Sequence, residues 1–196
     1  FEPQSTVFLA VMEVPAIVVG ILLARGVGRG TDWGVVLHEA FLGKGVALLL
    51  GGMAIGWIAG PDGLAPIKGL YYDLFKGVLT LFLLEMGLIV SRQLGELKRN
   101  GVFLLAFGIL MPLGSAALGL ACAMLLGLSV GGATLLALLA ASASYIAVPA
   151  AMRVAVPQAN PALSLGVVLG VTFPFNILVG IAIYHRWATQ LVGAAP

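Results

Sequence analysis

Apolar residues run through the chain in six long blocks, at about 5–25, 40–60, 70–91, 101–127, 132–155 and 162–187. Between the blocks stand Thr31-Asp32, Pro61-Asp62-Gly63, Gln93 to Asn100, Gly131-Gly132 and Pro157 to Pro161. The blocks are apolar all round, as helices in hydrocarbon are, so length and punctuation define them rather than a periodic stripe. A bilayer core takes about 20 apolar residues per helix, and each block is long enough to cross. The pattern predicts an all-α polytopic membrane protein with about six transmembrane helices.

Composition sharpens this. Of 196 residues 61% are hydrophobic and only 9% charged, and the mean hydropathy is +1.11. These values exclude a soluble globular domain and a disordered polymer. Ten Lys and Arg are too few for the basic stripe of a nucleic-acid binder. The partner surface is the lipid bilayer. A single cysteine, Cys122, rules out a disulfide framework and is expected as a small buried apolar residue. No clustered His or Cys suggests zinc or haem, and no Ser/His/Asp grouping or glycine-rich phosphate loop suggests an enzyme, so neither a cofactor nor a catalytic residue is expected. The chain begins at Phe1 without a basic start or a small-residue cleavage site and reads as part of a longer protein.

Charge orients the helices. One side collects Arg25, Arg29, Lys44, Arg92, Lys98, Arg99 and Arg153, the other Lys68, Lys76 and Arg186. The first is therefore cytoplasmic, and both ends of the chain lie outside, in the inner (plasma) membrane. The first and last blocks echo each other: Pro3, Glu13, Pro15 and Gly20 correspond to Pro161, Thr172, Pro174 and Gly180, with prolines 12 apart in one and 13 in the other. Alternation makes these copies antiparallel, as inverted five-helix repeats require. Residues 1–30 then form the last helix of a first repeat and 31–196 a complete second one, with four helices preceding Phe1. Chance is the competing explanation, since prolines are common in membrane helices.

The candidate chemistry sits in the fifth block, at Ala141-Ser-Ala-Ser-Tyr-Ile-Ala-Val-Pro-Ala-Ala-Met-Arg153. Pro149 lacks an amide hydrogen and crowds the carbonyl of Tyr145, so the helix should break within 143–149. Two half-helices then meet, one presenting carbonyls to a cation, the other the amides of Ile146 and Ala147 to an anion. Ser142 and Ser144 add hydroxyls to an anion site, and Tyr145 stands between both. A plain proline kink is the bland alternative. Oxygen ligands for a hard ion such as sodium come from Glu13 beside Pro15 and from Thr172 and Asn176 around Pro174; a protonated, hydrogen-bonded Glu13 is the alternative. Glu85 and Arg153 are possible pathway residues, although interfacial pairing and helix capping explain them as well. Gly52, Gly56 and Gly60 repeat at four-residue spacing, as do Gly166 and Gly170, and are expected to be close-packing faces.

With Pro157-Gln-Ala-Asn-Pro161, Gly170-Val-Thr-Phe-Pro-Phe-Asn176, Glu13-Val-Pro-Ala16 and Glu85-Met-Gly87, the break motif resembles the sodium-dependent bicarbonate transporter family along the whole chain. The resemblance implies two inverted five-helix repeats with a broken, crossing helix in each, a homotrimer, and a secondary transporter that imports bicarbonate with sodium as coupling ion by alternating access. It also implies a PII-like regulatory protein on the cytoplasmic face. Cyanobacterial members carry a serine-rich stretch with an aspartate where Ser144-Tyr145-Ile146 stands here, so Tyr145 departs from the pattern. Two other readings remain: a sodium-coupled carrier of another small organic anion, and a non-transporting membrane subunit, for which the fifth span should be unbroken.

Overall fold

The computed structural model describes residues 5–25, 34, 38, 44–99, 101–145, 158 and 161–193. Among the described residues there is no strand, and helix occupies part of each of the six blocks, with the short helical turns Ala65–Ile67 and Gly69–Asp73 bridging the second and third. The helices are α1 (Ser5–Arg25), α2 (Lys44–Leu64), α3 (Leu74–Arg99), α4 (Gly101–Leu125), α5 (Val130–Ala141) and α6, which begins with Pro161–Val167 and ends with Ile181–Leu191. Among the described residues two helices are long and apolar enough to cross a membrane, Gly101–Leu125 and Leu163–Leu191. Their 25 and 29 residues rise about 38 and 44 Å, against a hydrocarbon core of about 30 Å.

The helix ends agree with the sequence punctuation at one place and differ from it at others. At Pro61-Asp62-Gly63 the expected break is present: two helical segments of α2 meet at a kink at Gly60, which has φ 63° and ψ −178°. Glycine tolerates the positive φ, and the extended ψ is what a residue before proline prefers. The polar run from Gln93 does not end α3, which continues to Arg99, because Gln, Glu, Leu, Lys and Arg all favour helix. Gly131 and Gly132 lie inside the first turn of α5; Ser129 caps it, its hydroxyl accepting from Gly132 N at 3.1 Å. The break falls instead at Gly127, with φ 62°. There Gly127 N bonds to Met124 O at 3.2 Å and Leu128 N to Ala123 O at 3.1 Å, the paired bonds of a Schellman ending.

That tight ending folds α4 and α5 into a hairpin, and α6 packs on both. The core is built from small residues, with Ala116, Leu120 and Ala123 of α4 against Ala133, Leu136, Ala137 and Ala141 of α5 and Tyr184 and Ala188 of α6. Phe8 and Met12 bring α1 against this cluster. At Gly119 an added Cβ would lie 2.9 Å from Ala137 Cα, Ala140 Cβ and Leu136 O, so only glycine permits this approach. A Cβ added at the expected packing glycines Gly52 and Gly56 would meet nothing within 4 Å among the described residues, and Cys122 is exposed rather than buried.

Proline shapes α6. Pro174 has no amide hydrogen, and its ring crowds the carbonyl four residues back. The helix answers with π turns on either side, Val168–Thr172 and Asn176–Gly180, around the short helical turn Phe173–Phe175. Phe173 N–H reaches back five residues to Val168 O, and Ile181 N–H to Asn176 O, the wider turn that accommodates a disrupted ladder. Its expected copy α1 carries Pro15 within a regular α-helix.

A candidate ion site at the end of a half-length helix

Helix α5 has 12 residues and so rises only about 18 Å, little more than half of the hydrocarbon thickness. It stops at Ala141, and Ser142 turns extended at φ −76° and ψ 151°. The end lies before the expected window of 143–149, and four residues before Tyr145, the carbonyl that Pro149 would crowd. At this end the final carbonyls have partners other than the next helical turn, two from Ser142 and one from α6. Ser142 N donates to Leu139 O at 3.1 Å and Ser142 Oγ to Leu138 O at 2.7 Å. Asn176 Nδ2, reaching from α6, donates to Ala141 O at 3.0 Å. Helix-terminal carbonyls satisfied by side chains are a stable stop.

A second backbone carbonyl is served in the same way. Pro112, inside α4, has no N–H to give to the carbonyl of Gly108. Thr172 Oγ1 fills that place, donating to Gly108 O at 2.9 Å in a buried contact. Thr172 and Asn176 are both 5% exposed, stand one turn apart on α6, and fasten it to α4 and α5 respectively. Both were expected around Pro174 as oxygen ligands for sodium; the sequence signal for the carbonyl that Thr172 meets is Pro112, four residues after Gly108.

Between the end of α5 and the π-bulged stretch of α6 lies a cavity of about 190 Å³, far above the ~15 Å³ that one water requires. Ser142, Tyr145, Thr172 and Asn176 all line it, together with Ala143 and Phe173. Four residues singled out from two segments of the sequence, 142–145 and 172–176, therefore meet around one space. Tyr145 is half-buried, its ring stacked on Phe82 of α3 with centroids 6.0 Å apart and planes at 29°. Ser144 is half-buried in the same stretch but is not among the lining residues. Ile146, Ala147 and Arg153 lie outside the described residues.

The two carboxylates stand apart from the cavity. Glu13 is half-buried on α1 but does not line it. Met12, which faces the core cluster, is 100° around the helix axis from Glu13. Glu85 is exposed on α3, one turn after Phe82 and thus on roughly the side that meets Tyr145.

The hydrogen bonds fix what the hydroxyls can offer. A hydroxyl has one hydrogen and two lone pairs. Ser142 has given its hydrogen to Leu138 O and Thr172 to Gly108 O, so each can only accept. Both stand beside the carbonyl end of α5, the negative end of the helix dipole. The polar corner of the cavity that these two hydroxyls share with the α5 terminus is therefore suited to a cation, while Leu138, Val168, Ile177 and Ile181 make the rest of the lining apolar. The family model of the Na+-dependent bicarbonate transporter superfamily matches residues 1–189. The chain belongs to that superfamily. Comparison with curated proteins gives no match. Membership in the superfamily implies an integral membrane protein that transports rather than an enzyme, in keeping with the all-helical fold and the two membrane-length helices.

Proposed function

We propose that the chain is the ion- and substrate-binding part of a sodium-coupled secondary transporter that imports bicarbonate across the inner membrane by alternating access. The observation that carries this reading is a pair of hydroxyls at a helix end that can only accept, Ser142 and Thr172, their hydrogens given to backbone carbonyls, beside the amide oxygen of Asn176, Tyr145 and the carbonyl end of α5. Sodium, a hard cation that takes oxygen ligands, binds there, with Glu13 supplying negative charge from α1. Ser142, expected at the anion, belongs to the cation side in this reading because its hydrogen is given to Leu138 O.

Bicarbonate binds on the far side of the break, where Ser144 and the amides of Ile146 and Ala147 donate to it and sodium supplies compensating charge. Glu85 and Arg153 line its route. In this reading residues 31–196 form the second of two inverted five-helix repeats with a broken, crossing helix, residues 1–30 close the first, and the protein assembles as a homotrimer open to a PII-like regulator. Support for the broken helix comes from the early stop of α5 at Ala141, where a continuous span would suit a non-transporting subunit.

The test is uptake of labelled bicarbonate by the full-length protein in proteoliposomes, with and without an inward sodium gradient. Uptake should require sodium, and Thr172→Val, which keeps the shape and loses the oxygen, should raise the half-saturating sodium concentration. Equal uptake without sodium overturns the reading.

A further inference from the structure

Tyr184 is fully buried and takes no part in the sites predicted from the sequence, yet its hydroxyl lies 2.7 Å from Asn176 Oδ1. The direction of each bond in this chain is determined. The carbonyl of Ala141 can only accept, so the atom of Asn176 facing it at 3.0 Å must be the amide nitrogen. The oxygen then faces Tyr184, which must donate. A relay runs from the Tyr184 hydroxyl through the Asn176 amide to the last carbonyl of α5.

The helix is shaped to make that contact. Positions eight apart on an α-helix stand about 80° apart around the axis. Between Asn176 and Tyr184 lies the π turn Asn176–Gly180, which underwinds the helix and takes up the offset. Gly180 between them is buried, and a Cβ there would lie 2.9 Å from Asn176 Oδ1 and 3.0 Å from Tyr184 OH. The missing side chain is the space through which the tyrosine reaches the asparagine.

We infer that Tyr184 is a positioning residue for the cation site: by holding the Asn176 amide in one orientation, it sets the side chain that lines the cavity and the point at which α5 ends. This rests on the reading of the cavity as the sodium site. With one lone pair of Oδ1 occupied by Tyr184, the other remains for the ion, and the amide has no freedom to turn its NH2 group toward it. The polar pair spaced around a glycine, Asn176, Gly180 and Tyr184, is the sequence signature of the device.

The test uses the full-length protein and compares wild type with Tyr184→Phe, Gly180→Ala and, as a control on the exposed side of α6, Leu178→Ala. Two quantities are read: amide hydrogen exchange over residues 142–145, and the sodium dependence of bicarbonate uptake. Tyr184→Phe and Gly180→Ala should both speed exchange at 142–145 and raise the half-saturating sodium concentration about three- to tenfold, as loss of one hydrogen bond does, at unchanged maximal rate. Leu178→Ala should do neither. Unchanged exchange in a folded Tyr184→Phe protein overturns the inference. So does faster exchange with unaltered sodium affinity, which would make the contact merely structural. A fall in maximal rate alone overturns it too. Sodium-independent uptake by the wild type counts against the transport reading, and with it against a cation-positioning role, while the exchange data separately decide the relay to α5.

Discussion

The helices α1 to α3 and α4 to α6 are both rich in apolar residues, the first group carrying most of the charge and the second only Arg186, and they are unlike in packing. In the first group Trp57 is 87% exposed, Ile58 84% and Leu23 82%, and a Cβ added at Gly51, Gly52 or Gly56 of α2 would meet nothing within 4 Å among the described residues. In the second, Ala116, Ala133 and Ala137 are fully buried, and backbones approach closely enough at Gly119 to exclude a methyl group. In water such apolar helices would have to hide their surface; in lipid they need not, because acyl chains solvate a leucine as well as another helix does. What separates the groups is the supply of small residues at the contact and of polar side chains matched to backbone groups that the helices leave open. The candidate site lies within the packed group, where a cavity has fixed walls.

Four experiments press on this contrast, from the largest expected effect to the smallest. Gly119→Leu should lower the stability of the detergent-solubilised protein by about 3 kcal/mol, seen as a clear drop in melting temperature, because the atoms in the way include the backbone of α5. A normal melting temperature would mean that α4 and α5 do not approach this closely.

Ser144→Ala should weaken bicarbonate binding by about ten- to a hundredfold, the loss of a charge-assisted bond, with little change in stability, while Ser115→Ala on α4 transports normally. Wild-type affinity in a folded Ser144→Ala protein would put the anion on backbone groups alone or elsewhere. Next, Glu13→Gln should raise the half-saturating sodium concentration on the order of fivefold, as a half-buried charge acting at a distance does, and more than Glu85→Gln, since Glu85 is exposed. Equal shifts in uptake measured against sodium would reverse the ranking of the carboxylates. Last, Gly56→Ala should leave the melting temperature unchanged or raise it, by up to about 1 kcal/mol of helix propensity; a loss of stability would show that this face of α2 is covered.

The helices were legible in the sequence because lipid imposes length: α1 at Ser5–Arg25 coincides with the first block, and α4 differs from the fourth only at its C-terminal end. Their faces were not, because a uniformly apolar helix carries no stripe. The four-residue glycine spacing of α2 looked like a packing motif, yet Gly52 and Gly56 meet nothing among the described residues, whereas Gly119 has no glycine partner at that spacing and sits at a close contact between α4 and α5. At the site, residue types were informative and geometry was not. Ser142, Tyr145, Thr172 and Asn176 were recognisable as polar residues at membrane depth. Their partners depend on which backbone carbonyl comes within reach across two helices, and no local pattern encodes that. Pro149 drew attention to the right segment, although the helix stops where Asn176 and Ser142 take its carbonyls.

The proline in α4 has a further consequence. By removing one rung from the ladder it leaves Gly108 with a socket into which only a donor from outside the helix fits, and Thr172 is the plug. An offset of α6 along α4 by a single turn would pull that plug out and strand a carbonyl in hydrocarbon, a penalty of several kcal/mol that no gain of apolar contact in lipid makes good. Greasy surfaces are indifferent to sliding; this one notch is not. It gives two otherwise slippery cylinders a single vertical alignment, and so fixes the depth in the membrane at which the cavity opens.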